Sequence, residues 1–276
     1  MLIGVNVPNF GPGTTPGVLR DWARTVEGLG FDLLMVSDHV VLTPDVTAQY
    51  PAPFYEPFTT LSWLAGVTER ITLGTTVLIA PYRHPLLVAR MAANLAQLSG
   101  GRFVLGVGVG WARQEFAALG VHFGQRGKLT DELITAVRAA WADDGDYGAG
   151  RIPVWVGGHS DAALRRAVRL GDAWHSLRLT HAQWEDALSR LENIAAQERK
   201  PLPDLTPRIL LRLTDRPPAD RRMGEGTLDQ VVGDLASLRA RGARAVVLDP
   251  FAGDPDETLH PEAAWHALAA VRKEFR

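Results

Sequence analysis

The chain of 276 residues contains no cysteine. That excludes disulfide stapling, thiol nucleophiles and zinc sites built on thiolates, and it fits a cytoplasmic protein. Apolar runs of about 18 or more residues, the length a membrane span needs, do not occur. The N-terminal MLIGVNVPNF lacks the basic start and long apolar stretch of a signal peptide. A net charge of −2 leaves no excess of one sign to attract nucleic acid or a membrane surface. Metal and phosphate motifs are missing as well: there is no His-x-His after the first strand, no His-Glu-x-x-His and no P-loop. His84, His122, His175 and His181 have no spacing that demands a metal, so none is expected. No internal repeat, low-complexity segment or convincing linker divides the chain, and 1–276 is read as one domain. These absences fit a cytoplasmic protein and give no reason to expect a nucleic-acid or membrane partner.

What is present is a regular alternation of two patterns. Short apolar runs rich in β-branched residues take turns with stretches of helical spacing, in a composition (46% hydrophobic, 22% charged) that suits a large core. Residues 71–116, ITLGTTVLIAPYRHPLLVARMAANLAQLSGGRFVLGVGVGWARQEF, read strand, loop, helix, strand, Gly-rich loop, helix. Both strands, 71–77 and 102–107, are apolar nearly throughout, as parallel strands covered on both faces are. Other strands are read at 2–7, 32–36, 153–156, 172–176, 208–213 and 245–248, the one at 208–213 preceded by a Pro-rich connection over 200–207. A long polar, Pro-rich loop covers 42–57, and 143–150 (DDGDYGAG) is a flexible connection. About eight βα units of this size point to a (β/α)8 TIM barrel with loop insertions. Strand order is invisible in a sequence, so a doubly wound sheet stays open beside it.

The candidate site residues stand where strands end. Asp38-His39 follows the second strand, at the carboxyl edge where barrel enzymes place their chemistry; His39 can exchange a proton near neutral pH, with Asp38 orienting a ligand or tuning it. The plain alternative is a capping Asp beside a loop His. Thr75, Thr76 and Val77 end the third strand. Gly106, Gly108 and Gly110 follow the fourth, where Trp111 stands in place of the third Gly of a dinucleotide fingerprint. The backbone can still pass close to a flat ligand there. Gly158, His159 and Ser160 open a helix whose free N–H groups suit an anion, although Ser160 can equally be a plain N-cap. The same run is one residue from a Gly-x-Ser-x-Gly nucleophile elbow, with His260 or His266 as a late base.

Five runs, GVNVPNFGPG, LGFDLLMVSDHV, ERITLGTTVLIAPYRHP, LSGGRFVLGVGVGWARQEFAALG and PVWVGGHSDAALRRAVRLGDAWH, together resemble the luciferase-like monooxygenase superfamily, in its coenzyme F420-dependent branch. Beyond His175 the likeness is only in the general βα pattern. The resemblance implies a barrel, usually a homodimer, that binds a deazaflavin or flavin at the carboxyl ends of its strands. Thr76-Val77 looks like the family's non-proline cis peptide behind the ring. Asp38 would contact the ring and His39 would lie near its reactive carbon. Gly106, Gly108 and Gly110 would pass close to the cofactor's side chain, and Gly158, His159 and Ser160 would hold its phosphate.

The resemblance implies that His39 and Asp38 are catalytic and that, with coenzyme F420, the chain is an oxidoreductase transferring hydride to or from an organic substrate. An FMN-dependent monooxygenase working with a separate reductase and a flavin or deazaflavin carrier without turnover are the alternatives. Two departures matter. Relatives that oxidise sugar phosphates resemble each other in an acidic residue after the Gly-rich loop and a Trp soon after Asp-His; here stand Trp111 and Leu42-Thr43, so that substrate is not supported. The 143–150 connection is also shorter than the insertion such relatives carry.

Overall fold

The computed structural model describes residues 1–142, 147–148 and 150–275. Its main sheet is built from β1 (Leu2–Asn6), β2 (Leu33–Val36), β3 (Thr72–Thr75), β4 (Phe103–Gly108), β5 (Val154–Gly157), β6 (Ala173–His175), β7 (Asp204–Leu205), β8 (Arg208–Leu210) and β9 (Ala245–Asp249). They lie in the order β7-β6-β5-β4-β3-β2-β1-β9-β8, and every step is parallel. A short strand, Leu78–Ile79, pairs with β4 off this path. The result is an α/β fold with a curled parallel sheet. Residues of β2, β4, β5 and β9 are buried almost throughout, which is why these strands are continuous apolar runs rather than alternating ones. Leu33, Met35, Val104, Trp155, Ala173, Ala245 and Val247, drawn from five strands, pack on one another. Only a curled sheet brings them together.

Helices α1 (Pro16–Gly28), α3 (Pro57–Ala65), α4 (Pro85–Leu98), α6 (Arg126–Ala142), α7 (Asp161–Leu170), α8 (His181–Glu198), α9 (Leu228–Ala240) and α10 (Pro261–Glu274) run between the strands, with short α2 (Pro44–Thr47) and α5 (Arg113–Ala118) in the loops. Their ends follow sequence logic. Thr180 and Thr227 each close a capping box, with Gln183 and Gln230 three residues on. Proline fills the first turn of α1, α3, α4 and α10, where its missing N–H costs nothing.

Two boundaries differ from the sequence reading. The strand expected at 208–213 is confined to Arg208–Leu210, a separate strand Asp204–Leu205 lies inside the Pro-rich connection, and Arg212–Leu213 leaves the sheet to pair with Glu225–Gly226. Pro207 is tolerated because its carbonyl still accepts the Val247 N–H at 2.9 Å; only a donor is lost. Segment 204–208 receives or gives bonds on both sides: Thr206 N–H to the Trp174 carbonyl and Arg208 N–H to the Ser176 carbonyl, and the Leu205 carbonyl from Arg244 N–H. The 42–57 loop is ordered around α2, and Phe54 bridges back to Phe10. Of the connection over 143–150, residues 143–146 and 149 lie outside the described residues.

Candidate active site

All strands being parallel, their carboxyl ends meet at one edge, and the loops there enclose a cavity of about 230 Å³. His39 enters it from the end of β2. Asn9 fixes that turn by donating from Nδ2 to the Ser37 carbonyl at 2.9 Å and accepting the Ser37 N–H at Oδ1 at 3.0 Å. His39 Nδ1 lies 2.6 Å from Oε2 of Glu115 on α5. A carboxylate there requires Nδ1 to be the protonated nitrogen, which leaves Nε2 for the cavity. Glu115 is fully buried and also accepts Val40 N–H at 2.6 Å, Val41 N–H at 3.1 Å and the Tyr82 hydroxyl at 3.0 Å. Burial alone would raise its carboxyl, but the hydrogen bond and charge of His39 and the two backbone donors outweigh it and hold it below the usual range.

Asp38 also faces the cavity, yet its oxygens are engaged. Arg83 grips both in a fork at 2.7 and 2.8 Å, and the Ile79 N–H adds 2.8 Å to Oδ2. Burial pushes the Asp38 carboxyl up while Arg83 pulls against it. For Arg83, burial works downward, but the hydrogen bond and charge of Asp38 prevail and hold the guanidinium above its ordinary value. Asp38 is thus an anchor tying the β2 turn to the Leu78–Ile79 strand.

The opposite wall is built on Thr76-Val77, whose peptide bond is cis. The Thr76 hydroxyl bonds His175 Nε2 at 2.8 Å, and Arg208 Nη1 donates to the Thr76 carbonyl at 2.6 Å. His175 Nδ1 donates to the Thr206 carbonyl, so its Nε2 is an acceptor; burial, helped by the Arg208 charge, pushes the ring down to about 4. Arg208 and Arg178 share the buried Asp249. Burial would raise that carboxyl; the two guanidinium charges hold it low. Arg208 Nη2, 2.7 Å from Asp249 Oδ2 in ion-pair contact, makes no hydrogen bond.

Glycine completes this wall. A Cβ on Gly108 would come within 2.5 Å of Val77 Cγ2, so the close pass of β4 over Val77 requires its absence. Gly158 adopts φ +112, a conformation that L side chains rarely take.

Of the residues singled out in the sequence, Asp38, His39, Thr76, Val77, Gly108, Gly110, Gly158 and His159 line the cavity. Thr75, Gly106 and Ser160 do not. The Thr75 hydroxyl donates to the Gly106 carbonyl at 2.7 Å, and a Cβ on Gly106 would sit 2.0 Å from the Thr75 carbonyl: these two residues pack on each other. Ser160 caps α7, accepting the Ala163 N–H at 3.3 Å, and Arg190 pairs with Asp161 beside it. The nucleophile-elbow partners His260 and His266 are not in the cavity wall either. Glu115, Arg83, Arg208, His175 and Tyr50 were not legible as site residues. The one signal for Glu115 was its place in the run after the Gly-rich loop.

The model of the family described as luciferase-like monooxygenase matches residues 1–223. An uncharacterised protein of Mycobacterium tuberculosis is 34% identical over 180 residues, 55% of this chain and 62% of that one. An F420-dependent glucose-6-phosphate dehydrogenase of Intrasporangium calvum is 34% identical over 184 residues, 58% of this chain and 53% of that one. The matched parts thus cover less than two thirds of the length of these relatives. Among solved structures, an F420-dependent secondary alcohol dehydrogenase in complex with an F420–acetone adduct superposes with a TM-score of 0.76 at 17% identity, covering 98% of both chains. The oxygenating constituent of 3,6-diketocamphane monooxygenase of Pseudomonas putida, in complex with FMN, does so with a TM-score of 0.76 at 17% identity over 99% of this chain and 97% of that one. At that identity the likeness is one of fold. The family model spans well over half of the sequence, and the chain belongs to the luciferase-like monooxygenase family.

Proposed function

We propose that the protein is an F420-dependent oxidoreductase that exchanges hydride with a small organic substrate, and that the whole chain, 1–276, is one (β/α)8 barrel domain closed through segment 204–208. The bonds that this segment makes on both sides support closure. The observation that carries the function is the cavity wall formed by Val77, packed directly on the side-chain-free Gly108 and Gly157, with His39 in the same lining. A flat ring can lie against such a wall, and the Arg208 guanidinium in the same lining suits the acceptor oxygens of its edge. When bound, a deazaflavin supplies a carbon that gives or takes a hydride.

The chain's own residues do the rest. Val77, seated on Gly108, supports the ring; Gly110, Gly158 and His159 line the way for its side chain. Thr75, Gly106 and Ser160 act one layer behind, by holding the strand ends and the α7 start. Asp38 keeps the β2 turn in register with Leu78–Ile79. His39, held by Glu115 through Nδ1, gives or takes the proton that accompanies the hydride at Nε2. A cytoplasmic homodimer belongs to the same proposal and comes with the family resemblance.

The names of the F420-dependent relatives support F420. FMN is the runner-up, favoured by the fold likeness to an FMN complex; the chain would then be the oxygenating partner of a flavin reductase. Fluorescence titration of the purified protein with F420 and with FMN separates the two. Binding of F420 with turnover lost in His39→Ala but binding kept is the expected result. Binding of neither cofactor sinks both readings, and binding without turnover on any substrate leaves a carrier.

A further inference from the structure

We propose that the substrate meeting His39 is a neutral apolar ketone or its secondary alcohol with an aromatic or alicyclic body, held against a box of packed rings whose Tyr50 and Trp111 faces line the cavity. This substrate class rests on the hydride-transfer reading above. Ketone and alcohol differ by one hydride and one proton, the pair which that reading supplies.

The rings of Tyr50, Phe54 and Trp111 stand 5.2, 5.5 and 5.6 Å from the His39 ring. Behind them Phe10 contacts Tyr50 at 5.0 Å and Phe54 at 5.3 Å, and Phe251 lies against Tyr50 at 6.2 Å. Phe10 and Phe251 are fully buried, so the box is backed by rigid packing. Trp111 and Leu177 differ: both line the cavity, yet they are 39% and 41% exposed. Large apolar faces left in water at the mouth of a cavity mark a surface that a ligand covers.

Charge points the same way. Asp38 is closed by Arg83 and the Ile79 N–H, and Glu115 by His39, Tyr82, Val40 and Val41. Among the described residues the cavity lining carries one guanidinium, that of Arg208, which sits on β8, three strands from β2 in the sheet order, and is paired with Asp249. An anionic head group beside His39 would lose its hydration without a cation to replace it. A neutral carbonyl needs a single donor, which Nε2 of doubly protonated His39 supplies, and the alcohol's hydroxyl finds an acceptor at the same nitrogen when only Nδ1 carries a proton.

Calorimetric titration of the full chain with acetophenone and cyclohexanone, against glucose 6-phosphate, tests this with and without F420. The neutral ketones should bind at least about tenfold more tightly than the sugar phosphate, about 1.4 kcal/mol or more. Trp111→Ala and Leu177→Glu should each weaken ketone binding by about tenfold, with Trp111→Phe restoring most of it. Glucose 6-phosphate binding as tightly as the ketones, or ketone binding indifferent to both variants, overturns the proposal. Ketone binding that depends on Trp111 in a protein that takes no F420 supports the ring box and sinks the hydride reading instead.

Discussion

Glu115 lies 76 residues beyond His39 in the chain, yet its Oε2 stands 2.6 Å from the imidazole Nδ1. Because the same carboxylate also takes the Val40 and Val41 N–H groups, one side chain sets both the ring and the turn that carries it. If His39 moves the proton, His39→Ala should lower kcat by about 10²- to 10⁴-fold. Glu115→Gln should lower it by about 10-fold or more at unchanged cofactor affinity, since orientation is lost and the imidazole remains. Steady-state kinetics with a parallel cofactor titration reads both; a Glu115→Gln enzyme with wild-type kcat would remove Glu115 from the mechanism.

Gly108→Ala places a methyl 2.5 Å from Val77 Cγ2. Overpacking of this kind costs about 1–3 kcal/mol, and the strain falls on the wall proposed to support the ring. Urea denaturation should show that loss together with weakened F420 binding. Gly28→Ala, with nothing within 4 Å of its Cβ, should show neither.

Stability should fall on mild acidification because of His175. Its ordinary value of 6.5 is pushed down to about 4 by burial, so between those values the unfolded chain binds a proton that the folded one refuses. The stabilisation is complete above about 6.5 and is lost as pH falls toward about 4, by roughly 3 kcal/mol in all. Denaturation midpoints measured across that window should drop for wild type. His175→Asn, whatever its starting stability, should show a flatter dependence; an equal slope in both would exclude His175 as the source.

Arg83→Met leaves Asp38 buried with a single remaining donor, the Ile79 N–H. Removing one partner of a buried pair costs about 3–5 kcal/mol. The double variant Arg83→Met/Asp38→Asn should recover a good part of it, which a double-mutant cycle by chemical denaturation measures.

The alternation of strands and helices, and the residues at strand ends, were legible because burial on both faces writes itself as continuous apolar runs. Thr76, Val77, Gly108 and His39 could be read for that reason. Asp38 was seen but its fork with Arg83 was not: a partner 45 residues away leaves no local mark. The same holds for Arg208 with Asp249 and for Glu115, an acid in a six-residue helix that reads as surface. Gly106 looked ready for a ligand because close approach to backbone and close approach to a ring demand the same missing side chain. The strand at 204–205 hid behind the prolines around it, since a sheet tolerates Pro207 where only its carbonyl is used.

The most direct measurement is the structure of the protein with F420 bound. The deazaflavin ring should lie against Thr76-Val77, with His39 Nε2 facing the same space and Glu115 still on Nδ1. A ring seated outside this cavity, or one that leaves His39 beyond proton-transfer reach, would contradict the proposed mechanism.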